Sequence, residues 1–202
     1  MPVEEREGKK YVRTPLSEED VRALSAGDVV LISGTVYAAR DAAHKRLLEM
    51  ADRGEPLPFP VQGSIVYYVG PTPTRPGEVT GSAGPTTSGR MDRYTPRMLE
   101  MGMKGMIGKG SRGPGVREAL REHVGVYMAA LGGGGALSAL SIKRSEIVAF
   151  EELGPEAVRA MEFEEFPAWV INDCEGRDYY SEAMLPWRRD EALPEEMRIV
   201  KG

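Results

Sequence analysis

Cysteine is nearly missing from this chain: Cys174 is the only thiol in 202 residues. A disulfide framework is therefore excluded, and so is any metal or cluster site built from this chain's thiols alone. Side-chain amides are equally scarce, with Asn172 and Gln62 the only two, a composition common in thermophile proteins, although eleven methionines point the other way. No apolar run approaches the roughly 20 residues needed to span a bilayer. The opening Met1-Pro2-Val3-Glu4-Glu5-Arg6 also lacks the cationic and then apolar pattern of a secretory signal. A soluble, cytoplasmic protein without a membrane role is expected.

What is present is enough for one sizeable core, and a single domain over 1–202 is expected, with an N-terminal arm or edge strand over 1–15 and a covering tail over 186–202. The formal charge of −5 is unevenly spread: 75–121 holds nine Lys or Arg against four acids, so it carries +5 while the remainder carries −10. A cationic island on an acidic chain suits a small anionic ligand rather than nucleic acid, which calls for a broadly basic surface. A solvated helix face explains Arg93, Arg97, Arg117 and Arg121 well, but fits Arg90 and Lys109 poorly.

The pattern along the chain is mixed α/β. Ser17 caps a short acidic helix that ends by Gly27; 28–33 is a β-branched buried strand ending at Gly34-Thr35; and 38–52 is a helix stopped by Gly54. A second strand spans 64–69, a proline-rich loop spans 70–77, and 79–83 suits a short strand. Thr95 and Pro96 then open a helix as N-cap and first residue. A strand at 105–108 leads into Lys109-Gly110, which resembles a phosphate loop only superficially, because glycine follows the lysine where Ser or Thr is required. Helix 116–123 and strand 124–130 precede four glycines, 132–135, and a short helix. The last third suggests strands at 146–150, 160–166 and 168–173, the last turning back as a hairpin through Glu175-Gly176, with Cys174 a structural or incidental thiol at its end.

The centre of the chain is Gly84-Pro85-Thr86-Thr87-Ser88-Gly89-Arg90-Met91-Asp92. Pro85 prevents a helix or central strand, which leaves backbone N–H groups free to face a ligand, and the Arg90 fork matches a carboxylate or phosphate. Earlier, Arg40 and His44 lie four apart at the start of a helix, with Asp41 within reach of His44: an acid–base pair beside an anion binder, or an ordinary helix start with a half-exposed histidine.

These blocks resemble a known family. Ser33-Gly34-Thr35, Ala39-Arg40-Asp41-Ala42-Ala43-His44-Lys45-Arg46, the 84–92 stretch, Gly108-Lys109-Gly110, the glycine run and Glu165-Phe166-Pro167 are similar, in order and over nearly the whole chain, to the β subunit of two-subunit class I fumarases, and to the related β subunit of L-tartrate dehydratase. The resemblance implies a swivelling β/β/α domain. It also implies a hydro-lyase that hydrates fumarate to L-malate with a [4Fe–4S] cluster held by three cysteines of an α subunit, in a heterodimer or heterotetramer, with no metal ligand on this chain.

By the same resemblance Arg40, Thr87, Ser88, Gly89, Arg90 and Lys109 bind substrate. Thr86 both contacts it and moves the C3 proton, while His44, its tautomer held by Asp41, orients or exchanges a proton. Fixed cations suit the chemistry, since elimination through a carbanion adds charge to one carboxylate. Gly89-Arg90-Met91-Asp92 is closer to the fumarase pattern than to that of tartrate dehydratases, which carry a bulkier residue before the Arg and Glu after the Met. Tartrate or mesaconate as substrate, and a non-catalytic anion-binding module of the same fold, are the competing readings.

Overall fold

A computed structural model describes residues 3–187. A hairpin of β1 (Glu4–Arg6) and β2 (Lys9–Arg13) opens it, followed by α1 (Glu18–Arg22). Ser17 and Asp20 form a reciprocal capping box there, each side chain accepting the other's backbone N–H. Four parallel strands then alternate with helices: β3 (Val29–Ala38), α2 (Asp41–Asp52), β4 (Ile65–Tyr67), α3 (Thr95–Glu100), β5 (Gly105–Gly108), α4 (Pro114–Glu122) and β6 (Val126–Ala129). After α5 (Gly135–Leu140), the antiparallel pair β7 (Ile142–Ala149) and β8 (Val158–Asn172) returns across the sheet, and α6 (Tyr179–Met184) follows.

The pairings close on themselves. β3 pairs with β4, β4 with β5, β5 with β6, β6 with β8, and β8 again with β3, so five strands make a ring with β2 and β7 as flanking extensions. Side-chain alternation sorts the core into two halves. Ile65, Tyr67, Ile107, Val126 and Met128 point into one cluster with Val30, Ile32, Phe163 and Phe166. Val66, Tyr68, Met106 and Tyr127 point the other way and are covered by Ala43 and Leu47 of α2, Met98 and Leu99 of α3, and Val116 and Leu120 of α4.

Several expectations need correction. Of the two readings of 1–15, the edge strand forms rather than a free arm: residues 4–13 make a hairpin at the sheet's edge whose second strand runs parallel to β3. β3 does not stop at Gly34 but passes through a bulge between Ile32 and Gly34 and continues to Ala38. No strand forms at 79–83. Thr95 is the first residue of α3 rather than its cap, and its hydroxyl donates to the Met91 carbonyl. The strands expected on either side of Pro167 are one, β8. That proline falls between the residues pairing with β7, up to Phe163, and those pairing with β6, from Trp169, where a missing N–H breaks no rung on that edge. The return after Gly176 is the helix α6, and most of the tail expected over 186–202 lies outside the described residues.

Candidate functional site

The parallel strands place every candidate residue at one end of the sheet. Arg40, Asp41 and His44 follow the carboxyl end of β3, the 84–92 stretch follows β4, Lys109 follows β5, and the glycine run follows β6. The carboxyl edge of a parallel sheet is where α/β proteins usually bind ligands, because the connecting loops diverge there and helix N-termini face them.

At the start of α2 the backbone of Arg40 is extended, and its side chain caps nothing. The guanidinium instead meets Glu156, with Nη2 to Oε1 at 3.2 Å. Asp41 does not hold His44; its Oδ2 accepts from Arg90 Nη2 at 2.7 Å. Burial alone would raise the Asp41 carboxyl, but its own backbone N–H and the two guanidinium groups bring it below the ordinary range. Arg40 Nε and Asp41 Oδ1 face each other at 4.0 Å, and neither has a hydrogen-bond partner. A donor and an acceptor are thus left unused between the two arginines.

His44 is fully buried, stacked on Tyr94 and edge-on to Tyr68. Desolvation lowers its pKa to about 4, so the ring is neutral near pH 7. Its Nδ1 lies 2.8 Å from the Arg40 carbonyl and donates to it, which fixes the tautomer and leaves Nε2 a buried lone pair with no partner. The tautomer is therefore set by a backbone carbonyl rather than by Asp41.

The 84–92 stretch is threaded between the ends of β4 and β5. Thr86 donates its N–H to the Tyr68 carbonyl at 2.7 Å, Lys109 N–H donates to Thr86 O at 3.2 Å, and Ser88 N–H donates to Lys109 O at 2.9 Å. These bonds bring Thr86, Thr87 and Lys109 together and leave Thr87, Gly89, Arg90 and Lys109 exposed. Ser88 does not belong with them. Its side chain is fully buried with Oγ 2.9 Å from the Tyr127 hydroxyl, which itself donates to the Gly110 carbonyl at 2.8 Å. Gly108 makes that seat possible, since a Cβ there would come within 2.0 Å of Ser88 Oγ.

Asp92 is likewise an anchor. It accepts from Arg112 Nε and from Gly113 N–H, each at 2.7 Å. The Arg112 side chain is wholly buried, bonds Thr95 Oγ1 at 2.7 Å, and lies between the Tyr68 and Tyr127 rings. Arg112, Tyr127 and Glu156 were not found by sequence reasoning. Each is joined to its partner over a long stretch of chain, and no local motif marks it.

Cys174 follows β8, which runs antiparallel to β3 with Trp169 opposite Val29, so the thiol sits at the other end of the sheet. Among the described residues no group of three or more His, Cys, Asp or Glu could hold a metal ion. The donor set of this chain does not fit an iron–sulfur cluster.

The model of the fumarase C-terminus matches residues 3–183, nearly all that the structure describes. The chain belongs to the fumarase C-terminus family. It is similar to fumarate hydratase 2 of Leishmania major, 42% identical over 175 residues that make up 86% of this chain and 30% of that protein. It is also similar to the aerobic class I fumarate hydratase of Salmonella typhimurium, 42% identical over 153 residues, 75% of this chain and 26% of that protein. A putative L(+)-tartrate dehydratase subunit beta from Methanocaldococcus jannaschii is 37% identical over 179 residues, covering 86% of this chain and 92% of its own length. Membership of the fumarase C-terminus family bears out the resemblance drawn from the ordered motifs, and the mixed α/β fold of sheet and helices is the class expected of it. The chain spans less than a third of the length of the two fumarate hydratases.

Proposed function

We propose that this chain is the substrate-clamping part of a hydro-lyase that adds water to fumarate, giving L-malate, and that it acts only together with a second polypeptide. The observation that supports the reading is that Arg40, Arg90 and Lys109 follow three successive parallel strands at their carboxyl ends, with Asp41 lying beside both guanidinium groups and Lys109 bridged to Thr87. In the proposed reaction the guanidinium forks of Arg40 and Arg90 and the Lys109 ammonium hold the two carboxylates, and they bind more tightly as one carboxylate gains charge.

Thr86 is partly exposed on the wall of this site and is the candidate for moving the C3 proton. A threonine hydroxyl is a weak base, so the role needs the adjacent cations to stabilise its charged form. His44, neutral and buried, is assigned the orienting role, holding the Arg40 carbonyl. Thr87 and Gly89 face the ligand, while Ser88 anchors them.

Two features favour a second polypeptide. The site is open on this chain, with Arg90 and Lys109 exposed. Arg40 and Arg90 are also already met by Glu156 and Asp41, which offset much of their charge before a dianion arrives. The cluster that the resemblance implies would lie on that second polypeptide, an α subunit with three cysteines, and when bound would supply a Lewis acid for the substrate hydroxyl. The Methanocaldococcus relative, named a subunit and matched over almost its whole length, favours separate chains over a single one, and keeps tartrate as the second substrate reading. Turnover of fumarate, mesaconate and tartrate by the assembled pair, compared by kcat/KM, distinguishes them. A preference for tartrate would overturn the choice of fumarate.

A further inference from the structure

Glu156 performs two tasks with its two oxygens. Oε2 accepts the Ala42 N–H at 3.2 Å, satisfying one of the free donors at the start of α2, and Oε1 lies 3.2 Å from Arg40 Nη2. The carboxylate arrives on the 151–156 segment, which is tied a second time to α2 by the ion pair between Glu152 and Arg46. The guanidinium is also walled on one side: a Cβ on Gly70 would stand 2.7 Å from Arg40 Nη1 and 3.2 Å from the Pro155 carbonyl. Arg40 retains only about a fifth of its side-chain exposure, so most of its fork is already held by the protein.

We propose that Glu156 is a positioning residue: it locks the Arg40 guanidinium in the orientation that receives a substrate carboxylate, and couples that orientation to the capping of α2. The inference rests on Arg40 acting as a carboxylate clamp. A glutamine at 156 can perform one task but not both, since its amide oxygen can serve either the Ala42 N–H or Arg40, while its amide nitrogen repels either donor.

In the complex of this chain with its partner polypeptide, Glu156→Gln lowers kcat/KM for fumarate about tenfold, the size expected for one lost charge-assisted hydrogen bond. In an Arg40→Gln background the same change adds nothing, because there is no guanidinium left to orient. A role confined to capping gives equal losses in both backgrounds, and that result, or a wild-type kcat/KM in Glu156→Gln, overturns the proposal. The guanidinium NMR signals of Arg40 in the full-length chain give a readout independent of turnover: hindered rotation in the wild type and averaged signals in Glu156→Gln are expected. A freely rotating Arg40 in the wild type overturns the positioning role. A wild-type complex that hydrates no dicarboxylate overturns the functional reading instead, and the Arg40 signals then decide the positioning role alone.

Discussion

His44 is the residue whose surroundings give the clearest solution signature. Its folded pKa of about 4 lies below the ordinary value of 6.5, so between those values the unfolded chain binds a proton that the folded chain refuses. The stability this group contributes is fully present above pH 6.5 and is lost as pH falls toward 4, a change of about 3 kcal/mol by linkage. Urea midpoints measured across that window should fall in the wild type and fall less in His44→Leu; identical slopes would show that the ring is not held neutral. Arg90 behaves differently. Its side chain is 48% exposed and its pair with Asp41 lies near the surface, so Arg90→Ala should change stability by no more than about 1 kcal/mol. Asp41→Asn frees Arg90 from its internal carboxylate. If Asp41 competes with the substrate it lowers KM; if Asp41 orients the fork it raises KM. The orienting arrangement, with one carboxylate beside both guanidinium groups, predicts the rise.

At the level of elements, the 84–92 stretch is held at its middle and at its C-terminal end by buried groups, and this makes it a rigid wall. Ser88 is locked through Tyr127 against Gly108, and Asp92 is locked through Arg112 onto the start of α4. Gly108→Ala should destabilise by about 2 kcal/mol through overpacking, and by clearly less in a Ser88→Ala background, where the oxygen 2.0 Å from the new Cβ is gone. Additive losses in thermal melts would contradict that contact. Arg112→Met strands Asp92 and Thr95 and should cost about 3–5 kcal/mol, checked by denaturant unfolding. The β4, β5 and β6 strands were legible as short apolar runs leading into glycine-bearing loops, because sheet burial writes a local pattern. The candidate residues Arg40, Thr86, Arg90 and Lys109 stood out because hydroxyls and cations among glycines have no packing reason to be there, and the fold brings their loops to one end of the sheet. Ser88 misled for the same reason: a hydroxyl in such a loop gives no local sign of whether it faces a ligand or a buried phenol. The extension of β3 past Gly34, the uninterrupted β8 and the Glu156–Arg40 pair depend on partners more than 100 residues away, and no window of sequence contains both.

For the whole molecule, the ring of β3, β4, β5, β6 and β8 gathers four loops distant in sequence onto one edge, and its closure fixes their spacing. That edge carries the proposed clamp residues but is open, and the chain's single thiol lies at the opposite end of the sheet. Under the proposed function, the active centre is completed by a polypeptide corresponding to the rest of the longer fumarate hydratases. The most direct measurement is anaerobic mixing of this chain with the proposed cluster-bearing partner, followed by the loss of fumarate absorbance with and without Arg90→Ala. Hydration by the wild-type pair, none by this chain alone, and a fall of about two to three orders of magnitude in the variant are expected for a lost transition-state clamp. An inactive wild-type pair, or an Arg90→Ala pair as fast as the wild type, would contradict it.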